Sequence, residues 1–214
     1  MAMTDWSILK SDLTIKAALT QIAPIAGGSS LFLSDNGAPG NPQAVLIRSL
    51  SSEKGLLFGK MQGLFRLDQV SGAGVGFVFM MDRENITGNF GQFYGLFVGK
   101  TRIAATEIVL SKFYSGLQGA ETLLAFSSYA PSGVCALEVE WRSDLGNIGG
   151  TRIVIRSSDP TTDAIDYSNL TTVYDQVDST SPFVITHAEG IAYHNVLGGA
   201  NSFIVDKTIM MRVT

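Results

Sequence analysis

Short apolar runs of about five to ten residues recur along the chain, each closed by glycine, proline, asparagine or aspartate. They are rich in valine, isoleucine, phenylalanine and tyrosine, the composition of strands bounded by turns. The pattern predicts strands over 30–33, 44–50, 56–67, 74–81, 92–98, 103–114, 122–129, 134–142, 152–157, 171–175, 183–187 and 203–213. No long 3.6-residue period separates them, which argues against alternating βαβ units and for an antiparallel sandwich or barrel.

One hairpin can be read down to its register. In Leu137-Glu138-Val139-Glu140-Trp141-Arg142 apolar and charged residues alternate strictly, and Arg152-Ile153-Val154-Ile155-Arg156 alternates too. A turn centred near Asn147 sets Trp141 opposite Ile153, Val139 opposite Ile155, and Glu138 across from Arg156 on the other face. A slip of one residue would break every one of these pairings.

The N-terminal segment, residues 1–28, is less determined. Residues 6–25 have room for a short helix, but Thr14, Ile15 and Thr20 are β-branched and Pro24 ends the stretch, so irregular strand is the better reading. Loops are expected at 34–42, 82–91 and 159–169. No linker or repeat divides the chain, so residues 1–214 read as a single β-sandwich domain.

Composition changes this picture in one respect. A chain of 214 residues buries enough surface to need no metal or disulfide, and Cys135, the one cysteine, lies among Val134, Ala136 and Leu137 as a small core hydrophobe. Only 16% of residues are charged, against about 25% in ordinary domains, and the mean hydropathy is +0.22. Low charge implies surface covered by other subunits, because interface cores are depleted in charge. The net charge of −4, with no basic run, speaks against a nucleic-acid partner. No run approaches the roughly 20 apolar residues of a membrane span. Residues 1–10, with Asp5 and Trp6, hold no secretory signal, so synthesis and folding in a cytoplasm are expected.

Three features together, the tryptophan-bearing strand 137–142 with its hairpin mate, the paired strands 74–81 and 92–98, and the closing segment Phe203-Ile204-Val205-Asp206-Lys207-Thr208-Ile209, resemble a concanavalin A-like or laminin G-like jelly roll. The resemblance implies an all-β, antiparallel two-sheet β-sandwich, in a superfamily that holds lectins, glycan hydrolases and virion proteins. The leaderless start, many small residues and low charge are similar in style to structural proteins of tailed bacteriophages. The first expectation is therefore a virion structural protein (a capsid decoration, tail, baseplate or fibre subunit), located in the virion after synthesis in the host cytoplasm. Its partners would be copies of itself and other virion proteins. The alternative is a carbohydrate-binding, lectin-like module with a glycan partner; a glycan hydrolase comes third, and no enzyme is expected.

Candidate chemistry is sparse. Glu138 and Glu140 share one strand face roughly 6.5–7 Å apart, near the separation of glycosidase carboxylates. Jelly-roll glycan hydrolases carry Glu-x-Asp-x-x-Glu there; here Glu140 replaces the aspartate and Ser143 the second glutamate. Asp159, Asp163 and Asp166, followed by Asp175 and Asp178, are the calcium candidates, although their spacing matches no EF-hand loop. His187 and His194 lack the further ligands zinc needs. Gly95-Leu96-Phe97-Val98-Gly99-Lys100-Thr101 is one residue short of a phosphate loop and sits in a strand, and the 72–76 glycines also open a strand, so no cofactor is expected. Phe90, Phe93, Tyr94, Phe113, Tyr114, Tyr129 and Tyr193 are the aromatics from which sugar-stacking positions would come.

Overall fold

The computed structural model describes residues 7–11, 14–18, 30–36, 43–47, 57–69, 72–83, 91–99, 107–117, 121–128, 134–158, 166–184, 188–195 and 200–212. Fourteen strands cover most of them: β1 (Ser7–Ser11), β2 (Thr14–Ala18), β3 (Ser30–Asn36), β4 (Gln43–Ile47), β5 (Phe58–Gln69), β6 (Ala73–Met81), β7 (Phe93–Gly99), β8 (Glu107–Phe113), β9 (Glu121–Ser128), β10 (Val134–Asp144), β11 (Gly150–Ser158), β12 (Leu170–Asp178), β13 (Ala188–Asn195) and β14 (Ala200–Arg212). They form two seven-stranded sheets, ordered β1-β4-β13-β6-β7-β8-β9 and β12-β11-β10-β5-β14-β3-β2. Every pairing is antiparallel. Among the described residues there is no helix, and hence none long and apolar enough to cross a membrane.

The β10–β11 hairpin has the register its alternation predicts: Trp141 faces Ile153, Val139 faces Ile155 and Glu138 faces Arg156. Asp144 closes the turn, accepting from the Asn147 backbone N–H at 3.0 Å and from its side-chain amide at 2.7 Å. Gly149 follows with φ +70°, a conformation glycine adopts without strain. Two expectations change. Of the strand expected at 183–187, Phe183 and Val184 belong instead to an irregular loop and 185–187 lie outside the described residues; the next strand is β13. The N-terminal segment is regular strand over β1 and β2, each paired in its sheet.

The core lies between the sheets. Met61 and Phe65 of β5, Val139 and Trp141 of β10 and Ile153 and Ile155 of β11 meet Phe77, Phe79, Leu96, Ile191 and Tyr193. Phe79 stacks on Trp141 with ring centroids 4.9 Å apart, and Phe65 meets Phe77 edge-on at 5.3 Å. Each such side chain contributes about 1.5–3 kcal/mol on burial. Cys135 is a fully buried thiol in this layer. On the other face of β6–β8, Val78, Phe93, Phe97 and Phe113 are buried as well. The outward member of the Phe93–Tyr94 pair is therefore not a surface anchor, although alternation alone would expose it.

Candidate functional site

β6, β7 and β8 all terminate at one end of the sandwich, where β10 turns into β11 and β12 stops. Asp82, one residue past β6, accepts from the Gln92 backbone N–H at 2.9 Å, and its own N–H donates to the Gln92 carbonyl at 3.0 Å. Arg83 pairs with the same carboxylate at 3.3 Å. Tyr114, one residue past β8, is 38% exposed, the most exposed of the described aromatic candidates. Met80, Asp82, Gln92, Tyr114 and the 181–184 loop line an open cavity of about 330 Å³.

The loop that lines this cavity is held by a buried polar cluster joining the sheets. Lys112 of β8 continues the inward series Ile108, Leu110 and is 1% exposed. Its ammonium lies 2.7 Å from the Asp178 carboxylate at the end of β12, and donates to the Thr180 and Ser181 carbonyls at 2.7 and 3.0 Å. These three acceptors use its three N–H donors. The Tyr94 hydroxyl donates to Asp178 at 2.6 Å and accepts from the Phe183 N–H at 3.2 Å. Burial, then the Asp178 carboxylate, push the Tyr94 phenol far above its ordinary range, so it stays protonated. Thr151 donates to the Phe183 carbonyl at 3.1 Å. Met80 and Ser181 are left-handed, at φ +51° and +52°, a strained conformation for side-chain-bearing residues.

Glu138 and Glu140 lie elsewhere, on the outer face of the second sheet. The Glu138 carboxylate accepts from Gln62 at 2.5 Å and from Arg156, with Lys60 at 3.4 Å. Glu140 shares Lys60 at 3.7 Å and Arg156 at 3.4 Å. Burial would raise the Glu138 carboxyl, but the hydrogen bonds from Gln62 and Arg156 and the two cations outweigh it and hold it low. A general acid needs the opposite shift. The pair acts as a structural ion cluster, continued at the sheet edge by Arg152 and Asp175, 2.7 Å apart.

Asp159 and Asp163 lie outside the described residues, as do His187, Phe90 and Tyr129. Asp166 is exposed and accepts from its own turn, at the Ser168 N–H and hydroxyl. Asp175 and Asp178 are committed to Arg152 and Lys112. Among the described residues no group of three or more His, Cys, Asp or Glu side chains could hold an ion. His194 is set beside Phe97 and Phe113, and burial pulls its pKa down to about 4.

Asp82 and Gln92 lie at the borders of a loop the sequence marks, and Tyr114 among its aromatics. Lys112 escapes that reading; its one signal is a lysine at an inward position of a hydrophobic strand.

No protein-family model matches the chain, and no curated protein matches its sequence. Solved structures do match in fold. A legume lectin-like domain from Entamoeba histolytica aligns over 99% of this chain and 92% of its own, with TM-score 0.61 and 13% identity. The Emp47p carbohydrate recognition domain aligns over 99% and 90%, at TM-score 0.59 and 11% identity. The alginate lyase Aly36B aligns over 88% and 83%, at TM-score 0.56 and 16% identity. The fold is thus a legume lectin-like, concanavalin A-like β-sandwich. None of these neighbours links the chain to a virion.

Proposed function

We propose that this chain is a carbohydrate-binding, lectin-like module. The observation that carries the reading is the cavity where Asp82, Gln92 and Tyr114 converge on a lectin-like sandwich. Sugars need a carboxylate or amide for their hydroxyls and an aromatic face for their C–H edge, and the three side chains supply both. Among the described residues Asp82 is the one charged side chain in the lining, and the nearby Lys112 has no donor to spare. That charge balance favours neutral sugars over uronates. Calorimetric titration with mannotriose and with an oligouronate tests it. Binding of the neutral sugar, weakened at least tenfold by Tyr114→Ala and by Asp82→Asn, is expected. Preference for the uronate, or indifference to both substitutions, would remove the reading.

Assembly is a second reading, favoured by β12. This edge strand is exposed from Thr171 to Val173 and from Asp175 to Val177, and Val173 and Val177 are each 41% exposed. An exposed edge strand with such apolar positions invites a further strand. Light scattering across a concentration series tests it: a defined oligomer is expected, and a monomer throughout would remove it.

A further inference from the structure

We propose that Lys112 and Asp178 are positioning residues for the cavity, a buried strut that sets the shape of its 181–184 wall; the proposal rests on the carbohydrate reading of that cavity. A buried ion pair adds little net stability over well-packed apolar side chains of the same volume, so the core alone gives no reason for it. What apolar side chains could not do is hold backbone. Lys112 tethers two successive carbonyls, those of Thr180 and Ser181. Asp178 accepts from the Thr180 N–H at 3.2 Å and from Tyr94, whose oxygen in turn accepts from the Phe183 N–H. The backbone at 180, 181 and 183 is thus held by side chains of both sheets in place of a strand ladder. The same cluster holds Ser181 in its left-handed conformation. The ammonium also lies 5.2 Å from the centroid of the Phe183 ring and 5.9 Å from that of Tyr114, both of which line the cavity. Lys112 therefore approaches two lining rings without offering the ligand a donor. Binding groups held in place before the ligand arrives lose less freedom on binding, so removing the strut should weaken binding more than folding.

The test is the double variant Lys112→Met/Asp178→Asn, which leaves no unpaired buried charge. Amide exchange at Thr180, Ser181, Phe183 and Val184 should speed up at least tenfold, while the amides of 138–142 keep their protection. Affinity for mannotriose should fall at least tenfold, with the melting temperature within a few degrees of the parent. Unchanged exchange in the loop overturns the strut. A loosened loop with unchanged affinity overturns its role in binding. If the parent binds no neutral sugar, the exchange measurement still decides the strut while the carbohydrate reading falls. Should the double variant fail to fold, Tyr94→Phe, which removes one oxygen from the same cluster, should loosen Phe183 and weaken binding in the same direction; no change in either overturns the proposal.

Discussion

Glu138 and Arg156 face each other across β10 and β11, and the guanidinium donates to a carboxylate that is 5% exposed while remaining 31% exposed itself. One partner is thus inside and the other at its mouth, with Lys60 and Gln62 closing the other side. The geometry is intermediate between a surface pair and a buried one.

Arg156→Met should therefore destabilise the fold by about 1–3 kcal/mol, more than an exposed pair and less than a fully buried one. Adding Glu138→Gln should recover most of the loss, because no buried charge then lacks its partner. Urea unfolding of the two single variants and the double measures the coupling. Additive losses would show that the pair is not coupled.

Gly76→Ala should cost at least about 2 kcal/mol, near the upper part of the overpacking range. A Cβ there would collide with the Leu96 carbonyl across the β6–β7 pairing, and backbone cannot swing aside. Gly59→Ala meets the ring of Trp141, which is itself buried against Phe79, and should be destabilising too. Thermal melts of both variants check these losses.

Acidification should destabilise the protein in two stages. The folded-state pKa of His194 is about 4, against an ordinary 6.5. Between these values the unfolded chain holds more protons, so stability falls as pH falls, by up to ~3 kcal/mol. His194→Leu should flatten this part of the profile. Glu138 has the usual carboxylate behaviour: its folded pKa is depressed, so its contribution is present above the unfolded value and is lost as pH falls through the folded one. Denaturation midpoints from pH 7 to pH 3 separate the two windows.

Removing charge from the cavity rim gives a further check. Arg83→Ala takes away a 57%-exposed partner of Asp82. It should leave stability within about 0.5 kcal/mol, as exposed pairs do. If Asp82 receives sugar hydroxyls, affinity for a neutral sugar should change by less than threefold, since Asp82 stays held by the Gln92 N–H. Calorimetry on this variant separates the role of the carboxylate from that of its salt bridge.

The sequence by itself determined the fold class and, in the β10–β11 hairpin, the register, because period-two alternation there carries both the apolar face and the Glu138–Arg156 face. It was less informative where alternation fails. In β6 to β8 both faces are buried, so neighbours such as Phe93 and Tyr94 are equally apolar and the pattern cannot say which faces the other sheet. Phe183 and Val184 have strand-like composition but lie in a loop, because the Phe183 backbone is held by Tyr94 and Thr151 from distant strands. Only the tertiary structure could decide the cavity. Asp82, Gln92, Tyr114 and the 181–184 loop come from four separate chain segments, and the face-to-face packing of two sheets is what brings them together. The Lys112–Asp178 pair has the same origin: a lysine at an inward strand position signals an unknown partner, and packing of one sheet on the other supplies it.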